Sequence, residues 1–180
     1  MLEKDIERVL VSEADIALIC ESLGKQITSD YSGRRPIIIG LLKGCMPFMA
    51  QLIKHIDLYC EIELMGVSSY HGGIKSSADV KITKDLETSV ADRDILIAED
   101  IVDTGKTLDV ISKLLLHRGA KSVEVVTLLD KPAGRIVEFL PKYIGVTIPK
   151  EFVVGFGLDY DELYRNLPYV GVLKPEVYKK

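Results

Sequence analysis

The sequence predicts an α/β fold, a mainly parallel twisted sheet flanked by helices, and three observations carry that prediction. Two short, continuously apolar runs, Ile37-Ile38-Ile39-Gly40-Leu41-Leu42 and Asp94-Ile95-Leu96-Ile97-Ala98, have the composition of strands covered on both faces. Each is followed by apolar residues at three- and four-residue spacing, the period of a helix packed along one side. A further apolar run, Ser122 to Leu129, begins just after the helix stop at Gly119. Strand, helix, strand, helix, strand in that order points to parallel strands joined by helical crossovers.

The elements follow in turn. Ser12 and Glu13 precede Ile16, Ile19, Leu23 and Ile27, so the chain is expected to be helical up to about residue 30. Pro36 introduces the first buried strand. A helix is expected from near Pro47 through Phe48, Leu52 and Ile53, and alternation at Ile62 and Leu64 predicts a strand from Glu61 to Val67. Ser68 to Asp85 is the most polar and least periodic stretch, and reads either as a surface hairpin or as a lid over a site. Leu108, Ile111 and Leu115 mark the next helix, and Pro132 and Gly134 break the strand that follows it. A last strand, Glu151 to Val154, precedes Gly155, Gly157 and a charged, tyrosine-bearing tail. No internal repeat is visible.

Composition narrows the class. With 180 residues, 47% of them apolar and 28% charged, the chain can bury one sizeable core, and two full domains are not expected. Lys plus Arg number 23 against 27 Asp plus Glu, a net charge of −4, which argues against a non-specific nucleic-acid binder but not against a local cationic pocket. The N-terminus is charged throughout, so no secretory peptide is expected. The longest apolar run falls far short of the ~20 residues a spanning helix needs, so no membrane association is expected. Cys20, Cys45 and Cys60 are odd in number and widely spaced, with His55, His71 and His117 standing apart from them; free thiols in a reducing cytoplasm are the expectation.

Chemistry concentrates where the Asp94–Ala98 strand runs into Glu99-Asp100-Ile101-Val102-Asp103-Thr104-Gly105-Lys106-Thr107. In open parallel sheets, ligands bind beyond the carboxyl ends of the strands. Thr104, Gly105, Lys106 and Thr107 put hydroxyls, a cation and unobstructed backbone N–H groups at a helix start, a cradle for a phosphate. Glu99, Asp100 and Asp103 would repel a bare phosphate. They make sense facing sugar hydroxyls, a hydrated Mg²⁺ or a proton to be removed. A Walker A loop is excluded because Asp100 stands where its first glycine belongs. The pair Gly155 and Gly157 lacks the third glycine of a dinucleotide fingerprint, position 160 being Tyr. Helix capping alone would not need three acids, two threonines, a glycine and a lysine within nine residues.

The segment Glu99 to Thr107 resembles the phosphoribosyl-pyrophosphate (PRPP) motif of type I phosphoribosyltransferases, and Asp103 makes it similar to the hypoxanthine/guanine group among them. Leu42-Lys43-Gly44, Ser69-Tyr70, Leu129-Asp130-Lys131, Arg135, and Glu151 to Gly155 with Leu158-Asp159-Tyr160 recur in the same order, extending the likeness from about Ile37 to Arg165. The resemblance implies one domain over 1–180: a core at about 36–150, a small hood from about 1–15 and 151–180, and a mobile lid at about 68–85.

It further implies Mg²⁺-dependent purine salvage, transfer of the 5-phosphoribosyl group of PRPP to N9 of hypoxanthine or guanine, giving IMP or GMP and pyrophosphate. Asp103 is then the catalytic base. Glu99, Asp100, Thr104, Gly105, Lys106 and Thr107 hold PRPP and its 5′-phosphate. Lys43 and Gly44, in a loop that often has a non-proline cis peptide, meet pyrophosphate with Arg165 and Arg135. Lys131, Phe152, Val153 and Asp159 take the purine, Ser69 and Tyr70 belong to the lid, and Glu99, Asp100 and Asp159 face the metal. A homodimer or homotetramer is implied, with small-molecule substrates and no nucleic acid. A xanthine-preferring enzyme, or a PRPP-binding regulator on the same fold, is the alternative; the one would favour Gly at Lys106, the other a basic RNA face.

Overall fold

The computed structural model describes residues 2–69 and 80–179. A six-stranded sheet has the order β4-β3-β2-β5-β6-β7, formed by β2 (Ile37–Leu42), β3 (Glu61–Ser69), β4 (Val80–Lys84), β5 (Asp94–Val102), β6 (Ser122–Asp130) and β7 (Tyr143–Thr147). All neighbouring pairs are parallel except β3 and β4. The α/β class expected from the sequence is therefore observed.

Alternation along the buried strands explains their unbroken apolar character. Ile38 of β2 and Leu96 and Ala98 of β5 face one side, where Ile16, Cys20, Leu23 and Ile27 of α1 (Glu13–Asp30) and Phe48, Met49 and Leu52 of α2 (Cys45–Leu52) cover them. Ile37, Ile39, Ile95 and Ile97 face the other, against Leu108, Ile111 and Leu115 of α3 (Lys106–His117). Each strand thus feeds two cores, which is why no polar position interrupts it.

A second, three-stranded antiparallel sheet has the order β1-β9-β8, from β1 (Ile6–Val11), β8 (Val153–Val154) and β9 (Val170–Leu173). It corrects the expectation of an N-terminal helix running from the start. Residues 6–11 are extended, with Val11 opposite Val170 and Ile6 opposite Leu173. The helix begins only after Ser12, whose side chain caps it in a reciprocal box with Asp15. The strand expected at Glu151–Val154 is reduced to its last two residues, and β7 and β9 are strands not assigned from the sequence. A short helix, α4 (Pro175–Tyr178), closes the described chain. The expected lid starts and ends in paired strand, Ser68 opposite Lys81; residues 70–79, Tyr70 among them, lie outside the described residues.

Candidate active site

Parallel strands bring their carboxyl ends to one edge, and three loops meet there. Lys43 and Gly44 link β2 to α2, Asp103 to Gly105 link β5 to α3, and Lys131 to Arg135 follow β6. A cavity of about 240 Å³ is lined by Glu99, Asp103, Thr104, Gly105 and Thr107, with Val67 behind them. A larger open groove, about 880 Å³, lies at the opposite strand ends between Arg34, Arg35, Tyr59 and Cys60. It lies away from the helix start and the Glu99–Asp103 acids, with Arg34 paired to Asp94 at 3.4 Å and Arg35 to Glu61 at 3.3 Å.

The twelve-residue α3 opens on Gly105, whose φ of 79° falls in the left-handed region open to glycine. Having no side chain, Gly105 leaves the helix start uncapped; the Lys106 N–H donates only to the Thr104 hydroxyl, at 3.4 Å. Backbone N–H groups and the positive end of the helix dipole therefore face the cavity together with Thr104 and Thr107.

Beside this cradle stand two carboxylates. Glu99 Oε2 is out of solvent contact and has no hydrogen-bond partner. Burial pushes the Glu99 carboxyl well above its ordinary range, reinforced by the neighbouring Asp100 charge. Burial also raises Asp100, whose Oδ1 accepts the Ile101 N–H at 2.8 Å and whose negative form is favoured by the nearby Arg165 charge. Gly44 is pressed against this group, since a Cβ there would lie 1.9 Å from Asp100 Oδ2. A Cβ on Gly157 would lie 2.0 Å from the Gly44 carbonyl oxygen, so the Gly157 backbone is stacked on that of Gly44, which in turn lies against the carboxylate. A half-buried and a buried carboxylate side by side, the first with a buried, unpartnered oxygen, suit a hard cation. Among the described residues no three His, Cys, Asp or Glu side chains group closely enough to hold a metal unaided. The fit is to a cation shared with waters and substrate oxygens.

Asp103 points toward the β6 loop. Its Oδ2 lies 2.5 Å from Lys131 Nζ, and its side chain remains 42% exposed while that of Lys131 is 14% exposed. The carboxylate rests on Gly134, where a Cβ would fall 1.6 Å from Oδ1. Phe152 stands at the smaller sheet, its ring stacked on Tyr178 at 4.7 Å and meeting Tyr160 edge-on at 5.6 Å. Val153 is buried in β8.

The Leu42–Lys43 peptide is cis. Lys43 Nζ pairs with Glu162 at 2.9 Å. Arg165 donates to the Gly157 carbonyl at 2.8 Å and pairs with Asp159 at 2.8 Å and Glu162 at 3.3 Å. Lys43, Asp159 and Arg165 are thus joined through Glu162, a residue that sequence reasoning missed although it sits in the acidic Asp161-Glu162 pair. Arg135 stands differently. Its guanidinium donates to the carbonyls of Val102 and Asp103 and to the Asp130 carboxylate. The sequence marks Asp130 only within the Leu129-Asp130-Lys131 motif and Gly134 only as a strand breaker, and it gives neither of them, nor Tyr178, a place in the site.

A helix-start phosphate cradle beside two neighbouring acids and an aspartate–lysine pair belongs to a class in which a sugar phosphate meets a second substrate. The chain is a member of the phosphoribosyltransferase family: the family model described as a phosphoribosyl transferase domain matches residues 10–161. Within that family, the sequence is 62% identical to a hypoxanthine-guanine phosphoribosyltransferase of Lactococcus lactis, over 99% of this chain and 97% of that protein. Identity to the protein of the same name from Streptococcus agalactiae is 56% across the full length of both. A crystal structure of a hypoxanthine phosphoribosyltransferase from Staphylococcus aureus superposes with a TM-score of 0.95 at 53% identity, covering 99% of this chain and 97% of that one.

Proposed function

We propose that the protein is a cytoplasmic purine-salvage enzyme that transfers the 5-phosphoribosyl group of PRPP to N9 of hypoxanthine or guanine, with Mg²⁺, acting as a homodimer or homotetramer. The Asp103–Lys131 pair, 2.5 Å apart beside the helix-start cradle, carries this reading. A free 6-oxopurine protonated at N7 presents a donor and, next to it, the O6 acceptor on one edge. A carboxylate and an ammonium side by side complement that edge. Adenine would set an amino donor against the ammonium, so the same pair rejects it.

Bond breaking at the ribose C1 leaves positive charge on the sugar and negative charge on the departing diphosphate. Asp103 takes the N7 proton, making N9 a better nucleophile, while Lys131 holds O6. Phe152 offers a stacking face, and the Val153 backbone meets the ring edge. Thr104, Gly105, Lys106 and Thr107 grip the 5′-phosphate, fixing C1 over the base. Lys43, Gly44 and Arg165 receive the diphosphate. Mg²⁺ bound through Glu99 and Asp100, and a second ion near Asp159, would neutralise charge on the leaving group. Ser69 and Tyr70 belong to the lid that keeps water from the electrophilic sugar.

The test is to mix the protein with PRPP and Mg²⁺, add hypoxanthine, guanine, xanthine or adenine in turn, and follow nucleotide formation by absorbance. IMP and GMP are expected and AMP is not. Turnover of xanthine alone, or of no purine, would overturn the assignment.

A further inference from the structure

We propose that Arg135 and Asp130 form a positioning clamp that holds Asp103 and Lys131 in register, and that Arg135 is not a ligand of the diphosphate. The inference rests on the reading of Asp103 as the base and goes beyond it.

The strand ends explain why a clamp is needed. Val102 and Asp130 are the last paired residues of β5 and β6, and beyond them the ladder no longer orders the chain. Arg135 replaces it. One nitrogen donates to the Val102 carbonyl at 2.9 Å and the Asp103 carbonyl at 2.6 Å, and the other to Asp130. Two backbone bonds complete the stitching, Lys131 N–H to the Val102 carbonyl at 3.0 Å and Ile136 N–H to the Thr104 carbonyl at 3.1 Å. Residues 131–136 and 102–104 therefore move as one piece, and the Asp103 side chain, pressed on Gly134, takes its direction from that piece.

Charge argues the same way. The side chains of Arg135 and Asp130 are 13% and 7% exposed. Turning the guanidinium toward a diphosphate would strip Asp130 of its partner and leave a buried carboxylate uncompensated, a penalty that opposes any gain at the ligand. Lysine would not replace arginine here, because one ammonium lacks the planar fork that reaches three acceptors.

The experiment compares wild type, Arg135→Met, Arg135→Lys and Asp130→Asn, alone and combined with Asp103→Asn. For Arg135→Met we expect kcat to fall by about 10²-fold, the size of effect a displacement near 1 Å produces, while KM for PRPP changes by less than about twofold. Arg135→Lys and Asp130→Asn shift kcat in the same direction. In the Asp103→Asn background the Arg135→Met substitution is expected to cost almost nothing more, since both act through one carboxylate. Titration of each protein with Mg²⁺ and inorganic pyrophosphate should give equal Kd values, and this reads Arg135 whether or not the chain turns over purines. A tenfold weaker pyrophosphate Kd or a tenfold higher KM for PRPP with kcat preserved, or full additivity with Asp103→Asn, would overturn the clamp. Absence of turnover in wild type would instead strike the functional reading.

Discussion

The base side and the diphosphate side of the cavity are built in different ways. Around Asp103 the contacts run through backbone: carbonyls at the end of β5, N–H groups of the β6 loop, and a glycine against the carboxylate. Around Lys43 they run through long side chains, and the Lys43–Glu162 pair has both partners more than 60% exposed, at 64% and 63%. Backbone stitching fixes atoms to a fraction of an ångström, whereas exposed ion pairs hold loosely and are worth about 0.2–1 kcal/mol. Such a division suits the chemistry. Proton transfer at N7 tolerates little misplacement, while a diphosphate that must enter charged and leave charged is better met by groups that can let go.

The largest effect is expected on the rigid side. Asp103→Asn keeps the shape and the contact with Gly134 but cannot accept the N7 proton. A positioned general base contributes ~10²–10⁴-fold, so kcat should fall within that range with little change in KM for PRPP. Steady-state kinetics with hypoxanthine check it, and an unchanged kcat would erase the contrast between the two sides.

Much of the rigid side was readable from residues alone, and the reason is local. The run Ile37–Leu42, the Glu99–Thr107 cluster and the Leu108, Ile111, Leu115 stripe each carry their signal within a few neighbours. The small sheet does not. β1 is held by β9, more than 150 residues away in sequence, and the Glu7-Arg8 pair in its middle reads as well on a helix as on a strand. β7 carries Gly145 at its centre, against strand propensity, yet a Cβ there would lie 2.5 Å from the Leu128 carbonyl, so only glycine lets β7 pack beside β6. In the site, the acids and the phosphate cradle announced themselves by composition. The pairing of Asp103 with Lys131, and the inward turn of Arg135, depend on how the β6 loop folds back, which spacing does not encode.

Gly44 tests whether the diphosphate side is loose throughout. Its φ of −61° would suit any residue, so the need for glycine is one of space. In Gly44→Ala the methyl group would meet Asp100, a short buried carboxylate whose Oδ1 already accepts the Ile101 N–H. KM for PRPP is expected to rise at least about tenfold, equivalent to ~1.4 kcal/mol, with hypoxanthine affinity nearly unchanged. An unaltered KM for PRPP would mean that the backbone here yields as easily as the side chains around it.

Glu162 gives the smallest effect and the sharpest contrast. Its carboxylate bridges Lys43 and Arg165, the two cations expected to meet the diphosphate, so it stands in competition with the substrate. Glu162→Gln keeps the size and removes the charge. KM for PRPP should therefore fall, by about two- to threefold, in keeping with an exposed pair. The hydrogen bond from Lys43 holds the Glu162 carboxyl below its ordinary value. A depressed carboxylate stabilises the fold above its unfolded pKa and loses that contribution as pH falls through the folded one. The small difference in Tm between wild type and Glu162→Gln at pH 7 should accordingly begin to shrink as pH falls through the ordinary glutamate value of about 4.3 and vanish only below the depressed folded value. A rise in KM for PRPP on Glu162→Gln would show the opposite: that the carboxylate presents Lys43 and Arg165 to the substrate, and that the exposed side is organised as firmly as the buried one.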